Sequence, residues 1–190
     1  MHKIYVTRGV VLGKRGAGES NTQIALLTEE LGLVRASARS ARKEVSKLRY
    51  GLEPLTLARY SLVRGKHDWK LTGVEHIEHM RAGGAAAAGQ GKVARLLLRL
   101  VRGEEQSPEL FALTVGGFLA LAKASPKDFQ SLECVLVLRL LASLGYVPHS
   151  PELDPFLLAD DYSPEILSEA QRARSTLVRI INASLSATGL

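Results

Sequence analysis

The chain has a single cysteine, Cys134, among its 190 residues. That excludes an internal disulfide framework and any zinc site built from several thiolates. Cys134 falls inside an apolar helical run, where a thiol reads as a small buried hydrophobe rather than a nucleophile. Long hydrophobic runs are also missing. The longest unbroken run of branched aliphatics is Val135-Leu136-Val137-Leu138, far below the length that spans a bilayer. The N-terminal MHKIYVTRGVVLGKRG has neither the continuous apolar stretch nor the small-residue cleavage site of a signal peptide. A cytoplasmic protein without a membrane partner is the expectation. With 46% apolar and 23% charged residues, the composition is that of a folded chain with a real core.

Acidic residues are equally sparse throughout, but basic residues are not. Residues 1–80 hold 14 Lys and Arg against 8 Asp and Glu, whereas residues 81–190 hold 11 of each. The whole net charge of +6 therefore sits in the first 80 residues. Such asymmetry describes either a basic module that engages a polyanion beside a neutral module, or simply a soluble basic domain.

The two parts also differ in periodicity. Alternation marks strands at 3–14 (Ile4, Val6, Val10 and Leu12 on one face), 22–28 and 32–41, where Val34, Ala36 and Ala38 oppose Arg35, Ser37 and Arg39. Two more follow at 54–66 (Leu55, Leu57, Val63) and 69–77 (Trp69, Leu71, Ile77), joined by a hairpin-like Arg64-Gly65-Lys66-His67-Asp68. Five strands without an intervening long helix predict a small β-barrel over 1–80. Beyond a low-complexity linker at 81–91, the spacing is helical. Val93, Leu96, Leu97, Leu100 and Val101 form a stripe, with Arg95, Arg99 and Arg102 on the opposite face. Ser-Pro pairs at 107–108, 125–126 and 163–164 signal helix starts, and Leu144-Gly145-Tyr146-Val147-Pro148 signals a stop. The fold class is α+β: a five-stranded barrel followed by an all-α helical bundle over 92–190.

Gly13-Lys14-Arg15-Gly16-Ala17-Gly18-Glu19-Ser20 comes close to the phosphate loop G-x-x-x-x-G-K-[ST]. That loop must open a helix, yet NTQIALLT follows and alternates as a strand. Glu19 also stands where the Lys belongs, and it would repel phosphate. The segment is read as the connection between strands 1 and 2, with Lys14 and Arg15 leading into it. Glu75-His76-Ile77-Glu78-His79 hints at a metal, but a strand sends His76 and His79 to opposite faces, so a polar strand end is preferred. The run 35–49 is stronger, carrying Arg35, Arg39, Arg42, Lys43, Lys47 and Arg49 against Glu44 alone. Tyr50 follows directly. Cations that track a backbone, with aromatics that stack bases, make a surface for single-stranded nucleic acid. Tyr60 and Trp69 are assigned to core packing instead.

The order of these pieces resembles the bacterial recombination mediator RecO family. The shared elements are Gly18-Glu19-Ser20 after strand 1, Thr28-Glu29-Glu30-Leu31-Gly32-Leu33, Ala38-Arg39-Ser40-Ala41-Arg42 and Leu52-Glu53-Pro54-Leu55. Pro108-Glu109-Leu110-Phe111 and the segment from Leu138 to Pro148 are similar to that family's helical domain. The resemblance implies an OB-fold barrel, binding of single- and double-stranded DNA, strand annealing, and work beside a RecR-like protein in loading the recombinase, all at the nucleoid. It also implies that the helical domain docks the acidic, apolar C-terminal tail of the single-stranded-DNA-binding protein; Lys123, Lys127 and Arg139 are the candidate cations. Many members carry a four-cysteine zinc module after the Leu-Gly-Tyr-x-Pro segment. Here HSPELDPFLLADDY follows, so no zinc or other cofactor is expected, and residues 163–190 match nothing in the family pattern.

No Ser–His–Asp grouping, carboxylate pair or HExxH motif stands out, which leaves no chemical case for an enzyme. The rival to a DNA-binding mediator is an adaptor whose basic barrel binds an acidic protein or RNA. A nucleotide hydrolase using GKRGAGES would need ATP turnover, which is not expected.

Overall fold

The computed structural model describes residues 3–17, 21–39, 48–66, 68–159 and 161–187, the side chain of residue 85 apart. By its internal contacts the chain divides into two units. One comprises Met1–Arg81 and Ala94–Phe111, the other Ala82–Val93 and Ala112–Leu190.

The first unit is built on five strands: β1 (Ile4–Ala17), β2 (Asn21–Thr28), β3 (Gly32–Ala38), β4 (Thr56–Arg64) and β5 (Trp69–His79). Each pairs with two neighbours in the order β1-β2-β3-β5-β4, and β4 returns to β1, so the sheet closes on itself. All pairings are antiparallel except β3 with β5. Strand alternation places Val11, Ile24, Leu26, Val34, Ala36, Tyr60, Leu62, Trp69 and Leu71 in one buried core. Each fully buried Leu, Ile or Val side chain contributes about 1.5–3 kcal/mol of transfer free energy. Register shifts at Val11/Gly13, Leu57/Arg59 and Ser61/Leu62 supply the local bends that closure of a small sheet demands.

Alternation alone does not say which face is the inner one, and the shifts change that face partway along a strand. Ile4 and Val6, expected inside, are exposed; the inward face of β1 instead carries Val11, with Tyr5 packed against the same core. On β4 the expected face of Leu57 and Val63 is the outer one, while Ala58, Tyr60 and Leu62 point inward. Ile77 is exposed because His76 takes a positive φ of 52° at the bulge, which breaks the phase set by Trp69 and Leu71. Strand β1 also continues through Ala17, so Gly13–Ala17 are strand rather than connection, and Gly18–Ser20 lie outside the described residues. The phosphate-loop motif lacks its helix as expected, since a strand follows at Asn21–Thr28. The turn before β5 is tied by the Gly65 amide donating to Asp68 O at 2.7 Å.

Among the described residues six α-helices follow: α1 (Gly84–Leu100), α2 (Pro108–Lys123), α3 (Phe129–Ser143), α4 (Asp154–Leu157), α5 (Pro164–Arg172) and α6 (Arg174–Ala187). Residues 84–91, read from the sequence as linker, are the first turns of α1. The Ser-Pro signals hold at α2 and α5, where Ser107 and Ser163 Oγ accept from the amides of Leu110 and Ile166. At Ser125 the signal gives a turn: Ser125 Oγ donates to Asp128 Oδ2 at 2.6 Å, and α3 starts at Phe129.

The second unit centres on α3, whose Leu132, Val135, Leu136, Leu138, Leu140 and Leu141 are all buried. Gly117 of α2 lies so close to Leu136 that an added Cβ would stand 2.3 Å from its Cδ1, which is why the position carries no side chain. Helix α3 stops at a Schellman motif. Gly145 adopts φ 78°, its amide donates to Ala142 O at 2.9 Å, and the Tyr146 amide donates to Leu141 O at 2.8 Å. Among the described residues no helix is long and apolar enough to cross a membrane.

Tyr60 is fully buried, its hydroxyl donating to Gly51 O at 2.8 Å, and burial holds its phenol well above the ordinary 10.0. The unfolded chain therefore loses this proton first, so stability falls as pH rises beyond the ordinary tyrosine range. In urea unfolding followed by circular dichroism, Tyr60→Phe is expected to cost about 1 kcal/mol at neutral pH. The same variant should show a shallower loss of stability at high pH than the wild type.

Candidate nucleic-acid interface

The outward positions of β1, β2 and β3 build the basic face of the first unit. Register sets Arg15 opposite Gln23, and Gly13 and Arg35 on either side of Ala25. Because the closed sheet buries Ile24, Leu26, Val34 and Ala36 inward, their neighbours Gln23, Ala25 and Arg35 must face out. The last turns of α1 and the segment after it lie over this face, and Leu98 approaches Gly13. Between them runs a groove of about 590 Å³ lined by Arg15, Gln23, Leu33, Arg35, Asp68, Trp69, Leu98, Arg99, Val101, Arg102, Gly103 and Glu104. A smaller hollow of about 200 Å³ continues it past Lys14, Ile24 and Ala25.

Four guanidinium groups thus meet in one concavity. Arg15 is held in place by its Nε, which donates to Gln23 Oε1 at 2.8 Å. Arg35 is exposed on β3; Arg99 and Arg102 arrive from the end of α1 and just beyond it. A planar guanidinium offers five donors in a fixed fork suited to phosphate oxygens. Two acids share the groove, Asp68 and Glu104. Glu104 forms an ion pair with Arg64 and accepts from Trp69 Nε1 at 2.9 Å.

Other residues expected at the site fall elsewhere. Lys14 donates to both oxygens of Glu53 at 2.7 Å, an exposed pair of the kind that contributes about 1 kcal/mol or less while reducing the charge Lys14 offers a ligand. Arg39 is exposed in the turn after β3, and Arg49 and Tyr50 are exposed in a 3-10 turn at Arg49–Leu52; none of the three lines the groove. Tyr50 is 68% exposed, so it is available for stacking. Arg42, Lys43 and Lys47 lie outside the described residues. Trp69 is buried as expected, edge-on to Tyr5 at 5.2 Å and beneath the Arg64 guanidinium at 4.9 Å. His79 is engaged by Thr56 Oγ1 at 3.0 Å, and no metal-ligating cluster forms among the described residues.

Arg99 and Arg102 are the residues that sequence reasoning missed. The sequence sets them, with Arg95, on the helix face opposite the apolar stripe, and only that spacing marks them as a group. Of the three cations expected on the second unit, Lys123 and Lys127 are exposed. Arg139 is not: it is 3% exposed, its Nε donates to Phe156 O at 2.7 Å, and its guanidinium lies over the Tyr162 ring at 4.6 Å. This cation ties α3 to the segment around α4. Cys134 is buried, and burial pushes its thiol up, in keeping with a structural role.

The closed five-stranded sheet thus carries a cationic groove, the kind of surface whose charge complements a polyanion. Comparison with known proteins narrows the class. Residues 1–80 match the model for the recombination protein O N terminal domain, and residues 84–150 match that for its C terminal domain. The chain is 33% identical over 175 residues to the DNA repair protein RecO of Heliobacterium modesticaldum, covering 86% of this chain and 63% of that one. It is 31% identical over 153 residues to the RecO of Dehalococcoides mccartyi (78% and 59%) and 37% identical over 135 residues to that of Anaeromyxobacter dehalogenans (67% and 52%). The chain belongs to the RecO family. It spans about six-tenths of the length of the first two of these relatives.

Removing the Arg139 guanidinium strands the Phe156 carbonyl without its donor. Arg139→Ala is expected to lower stability by about 1–3 kcal/mol, with amide exchange accelerated across residues 153–162. Denaturant unfolding and hydrogen exchange on the full chain check both.

Proposed function

We propose that the chain is a non-enzymatic, DNA-binding mediator of recombination and repair, whose OB-like barrel holds the phosphate backbone of single- and double-stranded DNA. The observation that carries this reading is the meeting of Arg15, Arg35, Arg99 and Arg102 along one groove in a member of the RecO family.

The chemistry follows from the donors. Guanidinium groups neutralise phosphates and release the counterions condensed on them, which gives affinity without base readout. Two complementary strands whose charge is neutralised on such a surface repel each other less, so annealing is favoured. Arg39, Arg49 and Tyr50, exposed outside the groove, add two further cations and a stacking platform to this reading, and Arg42, Lys43 and Lys47 belong to the same basic run of the sequence. Family membership supports a RecR-like partner and a role in loading the recombinase. It also supports docking of the C-terminal tail of the single-stranded-DNA-binding protein on the helical unit, for which the exposed Lys123 and Lys127 remain as surface cations.

Four phosphate contacts imply that the logarithm of affinity for a single strand falls with the logarithm of salt at a slope of about −3. Fluorescence anisotropy of a labelled oligonucleotide should therefore show roughly a 50-fold loss between about 50 and about 200 mM salt. The double variant Arg35→Glu/Arg99→Glu should bind at least about tenfold more weakly at low salt, with a shallower slope. A wild-type affinity indifferent to salt would overturn the reading.

A further inference from the structure

One acid sits inside the cationic groove with its carboxylate fully engaged. Oε2 of Glu104 pairs with the Arg64 guanidinium, and Oε1 accepts from Trp69 Nε1 at 2.9 Å. Neither donor is free to wander. Trp69 is 4% exposed, so its indole N–H has a fixed direction, and Arg64 is stacked over the same ring at 4.9 Å. Two oriented donors thus converge on the two oxygens of a single anion. Arg35, Arg99 and Arg102 line the same groove, so the surrounding field also favours negative charge at this point. A phosphodiester presents two non-bridging oxygens and accepts from such a donor pair as a carboxylate does.

We propose that Arg64 and the Trp69 indole N–H form an additional phosphate subsite of the groove, which Glu104 fills in the free protein and a nucleic-acid backbone phosphate takes on binding. The subsite rests on the reading of the groove as the nucleic-acid face. Release of Glu104 is easy on physical grounds. The pair is on the surface, with side-chain exposures of 55% for Arg64 and 39% for Glu104, and exposed pairs hold weakly and are screened by salt. Glu104 also stands outside any helix or strand, between α1 and α2. A strand brings several phosphates to the groove at once, whereas Glu104 brings one charge. Its presence sets affinity below the level the arginines alone would give, and it holds Arg64 ready in the free state.

The test uses the full chain and a labelled oligothymidylate, read by anisotropy across a salt series. The proteins are the wild type, Glu104→Gln, Arg64→Gln and Arg35→Glu/Arg99→Glu. Gln at 104 keeps an oxygen for Trp69 and loses only the charge. Glu104→Gln is expected to bind about threefold or more tightly than wild type, and Arg64→Gln to bind more weakly with a slope shallower by about 0.7. Trp69 is the only tryptophan, so its emission should change on binding to the wild type as Nε1 exchanges partners. This last readout needs no variant and decides the matter if Glu104→Gln melts early. Unchanged affinity in both single variants with a silent Trp69, while Arg35→Glu/Arg99→Glu still binds weakly, overturns the subsite and leaves the groove standing. An inert Arg35→Glu/Arg99→Glu overturns the groove and the subsite with it.

Discussion

Among the described residues, two residue pairs join β3 to β5: Ala36 with Trp69 and Ser37 with Lys70. This short parallel contact is what turns a five-stranded sheet into a closed one, because every other neighbour pair is a longer antiparallel ladder. Closure seals the inward faces around Val11, Ile24, Leu26 and Tyr60. It also carries Trp69, and with it Arg64, from the far end of the first unit's chain to the side of Arg35. Without that joint the arginines of β1 and β3 would share no wall with β5.

Once the inner face is sealed, charge has one place to go. A buried unpaired guanidinium costs several kcal/mol, so Arg15 and Arg35 take the outer positions that alternation leaves to them. The last turns of α1 bring Arg99 and Arg102 to the same face, and four like charges are then held together with two acids as partial relief. Such a cluster is unfavourable for the free protein by mutual repulsion and favourable for a polyanion, which removes that repulsion on binding.

The second unit uses a cation in the opposite way. Arg139 on α3 is committed to Phe156 O and the Tyr162 ring, so the segment that follows the Schellman stop at Gly145 folds back onto the helix it has just left. In the sequence, Arg139 is one cation in the apolar run LVLRLLAS and looks like a surface contact. Buried, it is a fastener, and a hydrogen bond from a charged donor to a carbonyl is among the stronger ones available.

Much of this was legible in the residues. Period-two alternation announced five strands, the charge count located the basic module, and Ser163-Pro164 and Leu144-Gly145 marked a helix start and a helix stop, because each of these rests on local backbone chemistry. Ile4 and Val6 fall on the outer face of an unbroken stretch of β1, because alternation gives two faces and only closure of the sheet decides which is inner. Ile77 falls outside because a bulge shifts the phase of β5. Lys14 and Arg15 both border the smaller hollow, but Lys14 is engaged by Glu53 while Arg15 reaches on into the larger groove, a difference that depends on tertiary neighbours. Residue type and order are enough for the strands and helices, the charge asymmetry and the family. Which arginines share a groove and which is buried follows from the packed fold, because closure of the sheet and the course of α1 bring together side chains more than 80 residues apart.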